Sequence, residues 1–294
     1  MPADTETVMV SDMEESAKTV HNPTLSYSRL KEFKQCPLRY QLSMVNRIPQ
    51  PPQMHLAFGT AVHQVLENLY ALPRPERTHE AALADIPEAF RFTMDEHPEY
   101  EELFETEAEK EELQGRIRTV IDKYFLIENP SLLINAGREL EVQAVTDEGV
   151  NIRGFIDRID RNPNDGSLRV VDYKTGKMPR PQYQQDALDQ LRFYALLLTK
   201  AKKQTPARTQ LVYLEAQQIL PLDPQGHDLY GIEKTINQTW TRIEEALNKR
   251  YFTTRKGPLC NWCPFQEYCP EFGGKTPEMP EDRIEYLLQI RSQD

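Results

Sequence analysis

The sequence contains no apolar run that approaches the roughly 20 residues needed for a membrane-spanning helix. It also lacks the basic and then apolar beginning of a secretory signal, so we expect a cytoplasmic protein with no membrane partner. Hydrophobic residues make up 39% and charged residues 28% of the 294 positions, which is typical of a globular chain with one large or two modest domains.

Basic residues are fewer than acidic residues: the sequence has 35 Lys and Arg and 46 Asp and Glu, for a net charge of −11. This balance excludes a uniformly basic protein. The acids are concentrated, however, because residues 95–112 contain ten acids and one lysine, and residues 1–20 contain five acids and one lysine. The remainder is close to neutral and has basic clusters at 200–208 and 249–256, each of which is either a solvated surface or part of a phosphate-binding groove.

No phosphate-binding loop of the G-x-x-x-x-G-K-[ST] type is present. The nearest match is Gly274-Lys275-Thr276, which has Cys269 at the position of the leading glycine. We therefore expect no nucleotide cofactor and no ATP-driven motor in this chain.

Cysteine is scarce, and the four cysteines are Cys36, Cys260, Cys263 and Cys269. The last three form a C-x2-C-x5-C run, and in a reducing compartment such spacing indicates metal binding rather than disulfides. Four thiolates suit either a tetrahedral Zn²⁺ or a [4Fe–4S] cluster, and the spacing leaves both open. Because Cys36 is far from the other three in sequence, a shared site would tie the two ends of the chain together and stabilise the fold.

The periodicity of apolar residues predicts helices in the first half of the chain and strands in the middle. Residues 1–22 are acidic and have no apolar period, so we predict disorder there. The order of elements that follows is helices, strands, helix, strand and helix, which describes an α/β core with helical additions. The predicted strands cover 139–145, 152–159, 168–174 and 209–214, and the helices around them cover 57–72, 183–202, 230–250 and 281–290.

One pair of predicted strands concentrates side chains suited to metal binding. Residues i and i+2 of a strand point to the same side, so we expect Asp172 and Lys174 to converge. The turn at 162–166 brings the preceding strand alongside, and Asp157 then lies beside Asp172. Two carboxylates and an amine at one point favour a hard cation such as Mg²⁺ or Mn²⁺. An exposed hairpin with alternating charges is the competing interpretation.

A resemblance to a known family rests on six segments in order: LSYSRLKEFKQCPLRY, GTAVHQVLE, GFIDRID, VVDYKTGK, QLRFYALLL and CNWCPFQEYCP. This order is similar to the RecB-type exonuclease branch of the PD-(D/E)XK nucleases, and more narrowly to its iron–sulfur members, the AddB nuclease domain and the CRISPR-adaptation nucleases. The resemblance implies an α/β fold with a restriction-endonuclease-like core, in which helices flank a central mixed β-sheet. It also implies an N-terminal helical region and a C-terminal iron–sulfur staple.

The same resemblance implies how the chain is divided. The implied parts are a disordered acidic N-terminus (1–22), a single nuclease domain (23–273) with a helical insertion at about 75–130 and an iron–sulfur region (256–272) closed by Cys36, and a C-terminal tail (274–294).

Roles in a metal site are implied in turn. Asp157 and Asp172 would be acidic ligands of one or two Mg²⁺ or Mn²⁺ ions, with the backbone carbonyl of Tyr173 as a further ligand. Lys174 would hold or activate the attacking water and offset charge on the phosphate. His63, in the G-x-x-x-H setting of the family, would complete the ligands, although a lone histidine on a helix is more often a surface or core residue.

Further residues are placed beside the cleft by the resemblance. Gln190 and Tyr194 form a Q-x-x-x-Y pattern on the helix after the D-x-K strand, where they would orient DNA or water; plain helix amphipathicity is the alternative. Lys177 and Arg180 would contact DNA phosphates. Glu67, one turn after the histidine, is a weaker candidate for supporting the metal site.

The implied function is that of a metal-dependent DNA exonuclease, a Mg²⁺- or Mn²⁺-dependent deoxyribonuclease in DNA repair, recombination or processing. Its substrate would be DNA that is single-stranded or has single-stranded ends, and a separate helicase or recombination protein is a further candidate partner. For the cysteines the resemblance implies a structural [4Fe–4S] cluster, with Zn²⁺ as the alternative. Two other hypotheses stay open: a catalytically silent nucleic-acid-binding or assembly subunit, and a zinc-stabilised protein unrelated to nucleases.

Overall fold

In the computed structural model of this protein, residues 23–291 are described, and the predicted disordered segment 1–22 lies outside them. None of the helices in this range is both long and apolar enough to cross a membrane. The helices are α1 (Tyr27–Gln35), α2 (Pro37–Tyr40), α3 (Met54–Ala71), α4 (His79–Glu96), α5 (Glu107–Tyr124), α6 (Gln185–Lys202), α7 (Gly226–Asn248) and α8 (Glu281–Leu288). The strands are β1 (Asn135–Val145), β2 (Asn151–Arg161), β3 (Leu168–Lys174), β4 (Arg208–Tyr213) and β5 (Gln218–Leu222).

The five strands form one sheet in the order β1-β2-β3-β4-β5. Strands β3 and β4 are parallel, and the other neighbouring pairs are antiparallel. A parallel pair needs a crossover connection, which α6 provides between β3 and β4. The chain therefore has an α/β fold with a central mixed sheet flanked by helices, and the predicted fold class is confirmed.

Helices cover both faces of the sheet at β3. Successive residues of this strand point to opposite sides, so they pack against different helices. Val170 packs in one cluster with Phe193 of α6 and Trp240 of α7, whereas Val171 and Tyr173 pack with α3, α4 and α5. All five side chains are buried. Both faces are thus covered at β3, whereas Val145 of β1 and Phe155 of β2 are exposed.

Helix α3 is amphipathic and presents its polar side chains toward the end of the sheet. Val62, Leu66 and Leu69 are buried against α4 and α5. His63 and Glu67 follow two of these apolar residues by one position and are half-buried. The period of the helix therefore places His63 and Glu67 at the border of the buried stripe of α3, next to the sheet.

Helix α1 is fixed at both of its ends. At its start, the Ser26 side chain accepts a hydrogen bond from the backbone N–H of Arg29, and Leu25 forms a parallel bridge to Ile152 of β2. At its end, Cys36 has an extended backbone and separates α1 from α2. The chain then continues as a π-helical turn over Gln41–Val45.

The edge strand β5 is an element that the apolar period does not predict. It spans only five residues and includes Pro221, which pairs with Gln210 of β4. Proline cannot donate a hydrogen bond to a neighbouring strand, so within sheets it is confined to edges, and its presence argues against a strand when only the sequence is read. The four predicted strands and four predicted helices lie within a few residues of β1 to β4 and of α3, α6, α7 and α8.

Candidate active site

Asp157 and Asp172 lie where β2 and β3 separate. The paired residues of these strands end at Arg158 opposite Val171, so the two aspartates occupy the next position on each strand. Asp157 Oδ2 accepts a 2.6 Å hydrogen bond from the backbone N–H of Tyr173. This bond fixes the Asp157 carboxylate in the gap between the two strands, beside the Asp172 carboxylate.

The Asp172 carboxylate is buried and surrounded by donors. Its Oδ1 accepts hydrogen bonds from the Tyr194 hydroxyl at 3.0 Å and from Gln190 Nε2 at 3.1 Å, and its Oδ2 lies 2.5 Å from Lys174 Nζ. The i, i+4 spacing places Gln190 and Tyr194 on one face of α6, where Gln190 Nε2 also donates to the Tyr194 hydroxyl. The pair predicted to orient DNA or water therefore contacts a candidate metal ligand directly.

Lys174 is held as a cation by its neighbours. Burial alone would lower the pKa of Lys174, but the charge and hydrogen bond of Asp172 outweigh burial and raise the pKa above its ordinary value, with Asp157 adding to the rise. A protonated amine can donate hydrogen bonds but cannot accept a proton. The side chain is therefore suited to holding a water molecule or offsetting phosphate charge, rather than to acting as a base.

His63 reaches the same point from α3. Its Nδ1 lies 3.4 Å from Asp157 Oδ2, and its Nε2 lies 3.1 Å from the backbone carbonyl oxygen of Tyr173. Neighbouring ligands of an octahedral cation, each at about 2.1 Å from the ion, are about 3 Å apart. The structure thus brings together three groups that the resemblance assigns as ligands; the two distances start from different nitrogens of His63, only one of which can bind a given ion.

Glu139 of β1 is a site residue that the sequence analysis missed. One ligand atom from each of His63, Glu139 and Asp157 lies within 4.8 Å of the other two. Glu139 stands between the pairs Arg138 with Arg158 and Leu140 with Ile156, which places it opposite Asp157. Its φ of 39° is in the left-handed region that non-glycine residues rarely occupy. An acid inside a predicted strand is the only signal in the sequence, and the register that places it at the site is a tertiary feature.

The electrostatics of the site favour a divalent cation. Burial raises the pKa of Asp157 to about 6, and Asp172 adds to the rise although His63 opposes it. Burial also raises the pKa of Glu139 to about 7, with contributions from Asp157 and Glu67. Carboxylates that ionise reluctantly because they are buried beside one another are stabilised when a cation joins them.

A buried ionic network supports the site from behind. Arg158 is 1% exposed and donates to Glu128 at 2.8 Å and Asp160 at 3.0 Å, and to the hydroxyls of Tyr70 and Tyr173. Asp160, three positions after Asp157 on β2, is one of the acids that neutralise this arginine. Tyr173 therefore belongs to two structures: its side chain to the network, and its backbone to the site.

A cleft of about 760 Å³ opens beside the site and is lined by Asp157, Lys174, Gln190 and Tyr194. Lys174 and Lys177 line its wall, together with Phe155 and Tyr183, whose side chains are largely exposed. Arg180, paired with Lys177 in the predicted DNA contact, is exposed but is not among the residues that line this cleft. The cleft thus combines aromatic rings, cations and the acidic site.

The four cysteines line one cavity of about 210 Å³ between the end of α1 and residues 254–272. Burial raises the pKa of the Cys269 thiol, and the nearby Cys36 and Cys263 add to the rise. Within residues 23–291, no three cysteine sulfurs lie within 4.8 Å of one another. Zn–S bonds of about 2.3 Å would place tetrahedral sulfurs about 3.8 Å apart. The thiols share a cavity but are not gathered into the tight ligand set of a zinc site.

Comparison with known proteins identifies the family. The sequence profile of the PD-(D/E)XK nuclease superfamily matches residues 24–270, and the chain belongs to this superfamily. The Gene 69 protein of Mycobacterium phage D29 is 24% identical over 284 residues, and the match covers 85% of this chain and 97% of that protein. The Gene 69 protein of Mycobacterium phage L5 is 24% identical over 294 residues with the same coverage. The crystal structure of SSO0001 aligns with 90% of this chain and 94% of its own, at 17% identity and a TM-score of 0.39.

Proposed function

We propose that this protein is a metal-dependent exonuclease that hydrolyses phosphodiester bonds of DNA in repair, recombination or processing, in the cytoplasm. One observation carries the proposal: His63, Glu139 and Asp157 present ligand atoms within 4.8 Å of one another, beside the Asp172–Lys174 pair. Nitrogen and oxygen ligands around a small acidic gap suit Mg²⁺ or Mn²⁺. The exonuclease assignment, as opposed to nuclease in general, rests on the RecB-type order of the sequence motifs.

The site residues would have different roles in hydrolysis. Asp157 and Asp172, with His63 and Glu139, would hold one or two ions, whose charge, when they are bound, offsets the negative charge that develops on the phosphate. Lys174 would position the attacking water: its oxygen bonds to phosphorus and it gives up a proton, while the bond to the leaving oxygen breaks and that oxygen takes up a proton. This sequence has no ATP-binding loop, and a helicase or recombination protein is a candidate partner for strand separation.

The test is a time course with end-labelled single-stranded and double-stranded DNA, with and without Mg²⁺ or Mn²⁺. We expect cation-dependent release of short products from one end. Asp172→Asn should abolish cleavage, whereas Asp165→Asn, in the exposed turn between β2 and β3, should leave it unchanged. Full activity of Asp172→Asn would refute the site, and binding of DNA without cleavage in any divalent ion would show a silent binding subunit instead.

We further propose that Cys36, Cys260, Cys263 and Cys269 hold a [4Fe–4S] cluster in the cavity that they line. Thiols stay reduced in the cytoplasm and are available as metal ligands. A cubane of four irons and four sulfides is larger than a single ion, so it suits sulfurs that are spread around a cavity.

Purification without oxygen, followed by metal analysis and an absorption spectrum, tests this assignment. We expect close to four irons per chain and a brown solution that absorbs at about 400 nm. A colourless protein that contains one zinc per chain would overturn the iron–sulfur assignment and leave the nuclease proposal intact.

A further inference from the structure

The two basic clusters of the sequence have different environments in the structure. In the first cluster, Lys200 pairs with Asp147 at 2.5 Å and Glu233 at 2.8 Å, and Arg208 pairs with Asp223 at 2.6 Å. These acids neutralise Lys200 and Arg208, while Lys202 and Lys203 of the same cluster are exposed. In the second cluster, Arg250 pairs with Glu281 and Lys256 with Glu271, whereas Lys249 and Arg255 line a cavity together with Lys34 of α1 and Arg242 of α7.

A groove of about 440 Å³ lies between α1, α7 and the chain that follows α7, and we call it the α1–α7 groove. Among the described residues that line it, the one acid is Glu245, whose Oε2 lies 3.3 Å from Lys249 Nζ. Within residues 23–291, Lys34 and Arg242 have no carboxylate at ion-pair distance. Tyr251, which is 67% exposed, lies in the same wall. The four cations that line the groove are Lys34, Arg242, Lys249 and Arg255.

The groove and the active-site cleft are neighbours, because α1 borders both. Ser28 and Lys31 of α1 line the cleft, and Phe33 and Lys34 line the groove. At 1.5 Å per residue, six residues of helix separate Ser28 from Lys34 by about 9 Å. A strand with its end in the cleft therefore needs to cross only part of one short helix to reach the groove.

We propose that the α1–α7 groove binds the backbone of a single-stranded nucleic acid whose end lies in the active-site cleft. This inference rests on the proposed function, since it assigns a second contact to the same substrate. The excess of cations complements phosphates, and the exposed Tyr251 offers a face on which a base can stack. A duplex hides its base faces in its own stack, so the combination of cations and exposed rings fits a single strand.

The proposal predicts that affinity depends on strand length. In EDTA, which prevents cleavage, we would measure binding of labelled single-stranded DNA of about 4 and about 16 nucleotides, lengths that bracket known single-strand sites. Lys34→Gln with Arg242→Gln should weaken binding of the longer strand about tenfold and leave the shorter strand unchanged. The slope of the salt dependence should fall by about 0.7 for each phosphate group that the variant no longer binds.

A matched pair controls for the loss of charge: Lys202→Gln with Lys203→Gln, two exposed lysines at the end of α6. This pair should leave the affinity for both lengths unchanged. Tyr251→Leu should weaken binding of the longer strand, and Tyr251→Trp should restore it, which a purely electrostatic surface would not show.

The outcomes separate the two proposals. If the wild-type protein cleaves DNA but the groove pair and the control pair bind both lengths equally well, the groove assignment is wrong and the proposed function stands. If the groove pair loses duplex binding as strongly as single-strand binding, the inferred substrate class is wrong. If the wild-type protein neither binds nor cleaves nucleic acid, the proposed function fails, and the groove assignment fails with it.

Discussion

Both carboxylate oxygens of Asp172 contact neighbouring side chains, and these contacts fix the orientation of the carboxylate. Tyr194 and Gln190 donate to Oδ1, while Lys174 lies at Oδ2. A ligand held in one rotamer loses less freedom when a cation binds. The helix α6 thus contributes to the site by orienting an acid that belongs to a strand.

Removing the Tyr194 hydroxyl tests this role. Tyr194→Phe keeps the ring in the core but removes a donor to Asp172, so we expect a loss of about 10- to 100-fold in activity or Mn²⁺ affinity, as for other partners of metal ligands. Steady-state kinetics and calorimetric titration with Mn²⁺ would measure the two effects. Tyr230→Phe, at an exposed position of α7, should change neither quantity.

The raised pKa values of Asp157 and Glu139 predict how stability depends on pH. Their folded-state pKa values, about 6 and about 7, exceed the ordinary 3.8 and 4.5, so the folded protein retains protons that the unfolded chain has released. Stability without metal should therefore fall as the pH rises from about 4 to about 7. Thermal melts with and without Mg²⁺ at pH 5.5 and pH 8 measure this. Mg²⁺ should stabilise more at pH 8, and an equal effect at both values would contradict the prediction.

At the scale of elements, α6 packs closely on β2 because Gly154 has no side chain. A Cβ at this position would lie 2.9 Å from Leu197 Cδ2 and 3.2 Å from Tyr194 Cε1. The helix carries the two donors to Asp172, so its distance from the sheet sets the geometry of the site. Glycine in the motif GFIDRID is therefore explained by packing rather than by backbone conformation.

Gly154→Ala should separate α6 from β2. We expect a loss of about 1–3 kcal/mol in unfolding free energy, as for other overpacked cores, together with reduced activity because Tyr194 moves. Denaturant melts and the DNA cleavage assay would measure both effects. Gly231→Ala, in α7 where a Cβ meets nothing within 4 Å, is the control and should not destabilise the protein.

Much of the fold and part of the site are predictable from local sequence. The alternation in residues 168–174 predicts β3, and the i, i+2 and i, i+4 spacings predict which side chains of β3 and α6 share a side. Glu139 was missed because only the register between β1 and β2 places it opposite Asp157. The edge strand β5 was missed because Pro221 is atypical of a strand. Neither register nor edge position is encoded in a local period.

For the whole molecule, the cysteine cavity joins parts of the chain that are distant in sequence. Cys36 ends α1, and the other three cysteines follow α7. If the four thiols hold one cluster, Cys36→Ser should lower both the iron content and the melting temperature, because the N-terminal helices lose their tie to the C-terminal segment. Iron analysis and calorimetry would measure this. Unchanged iron content in Cys36→Ser would show that Cys36 is not a ligand.

Tyr173 connects the buried Arg158 network with the candidate active site. Its hydroxyl meets Arg158 in the buried network, its N–H is bonded to Asp157, and its carbonyl oxygen faces His63. A change among the internal charges would be transmitted by the rigid Tyr173 peptide to the proposed cation site. Substitution of Arg158 should therefore destabilise the fold, because its buried acids lose their partner, and should displace the same peptide at the proposed site.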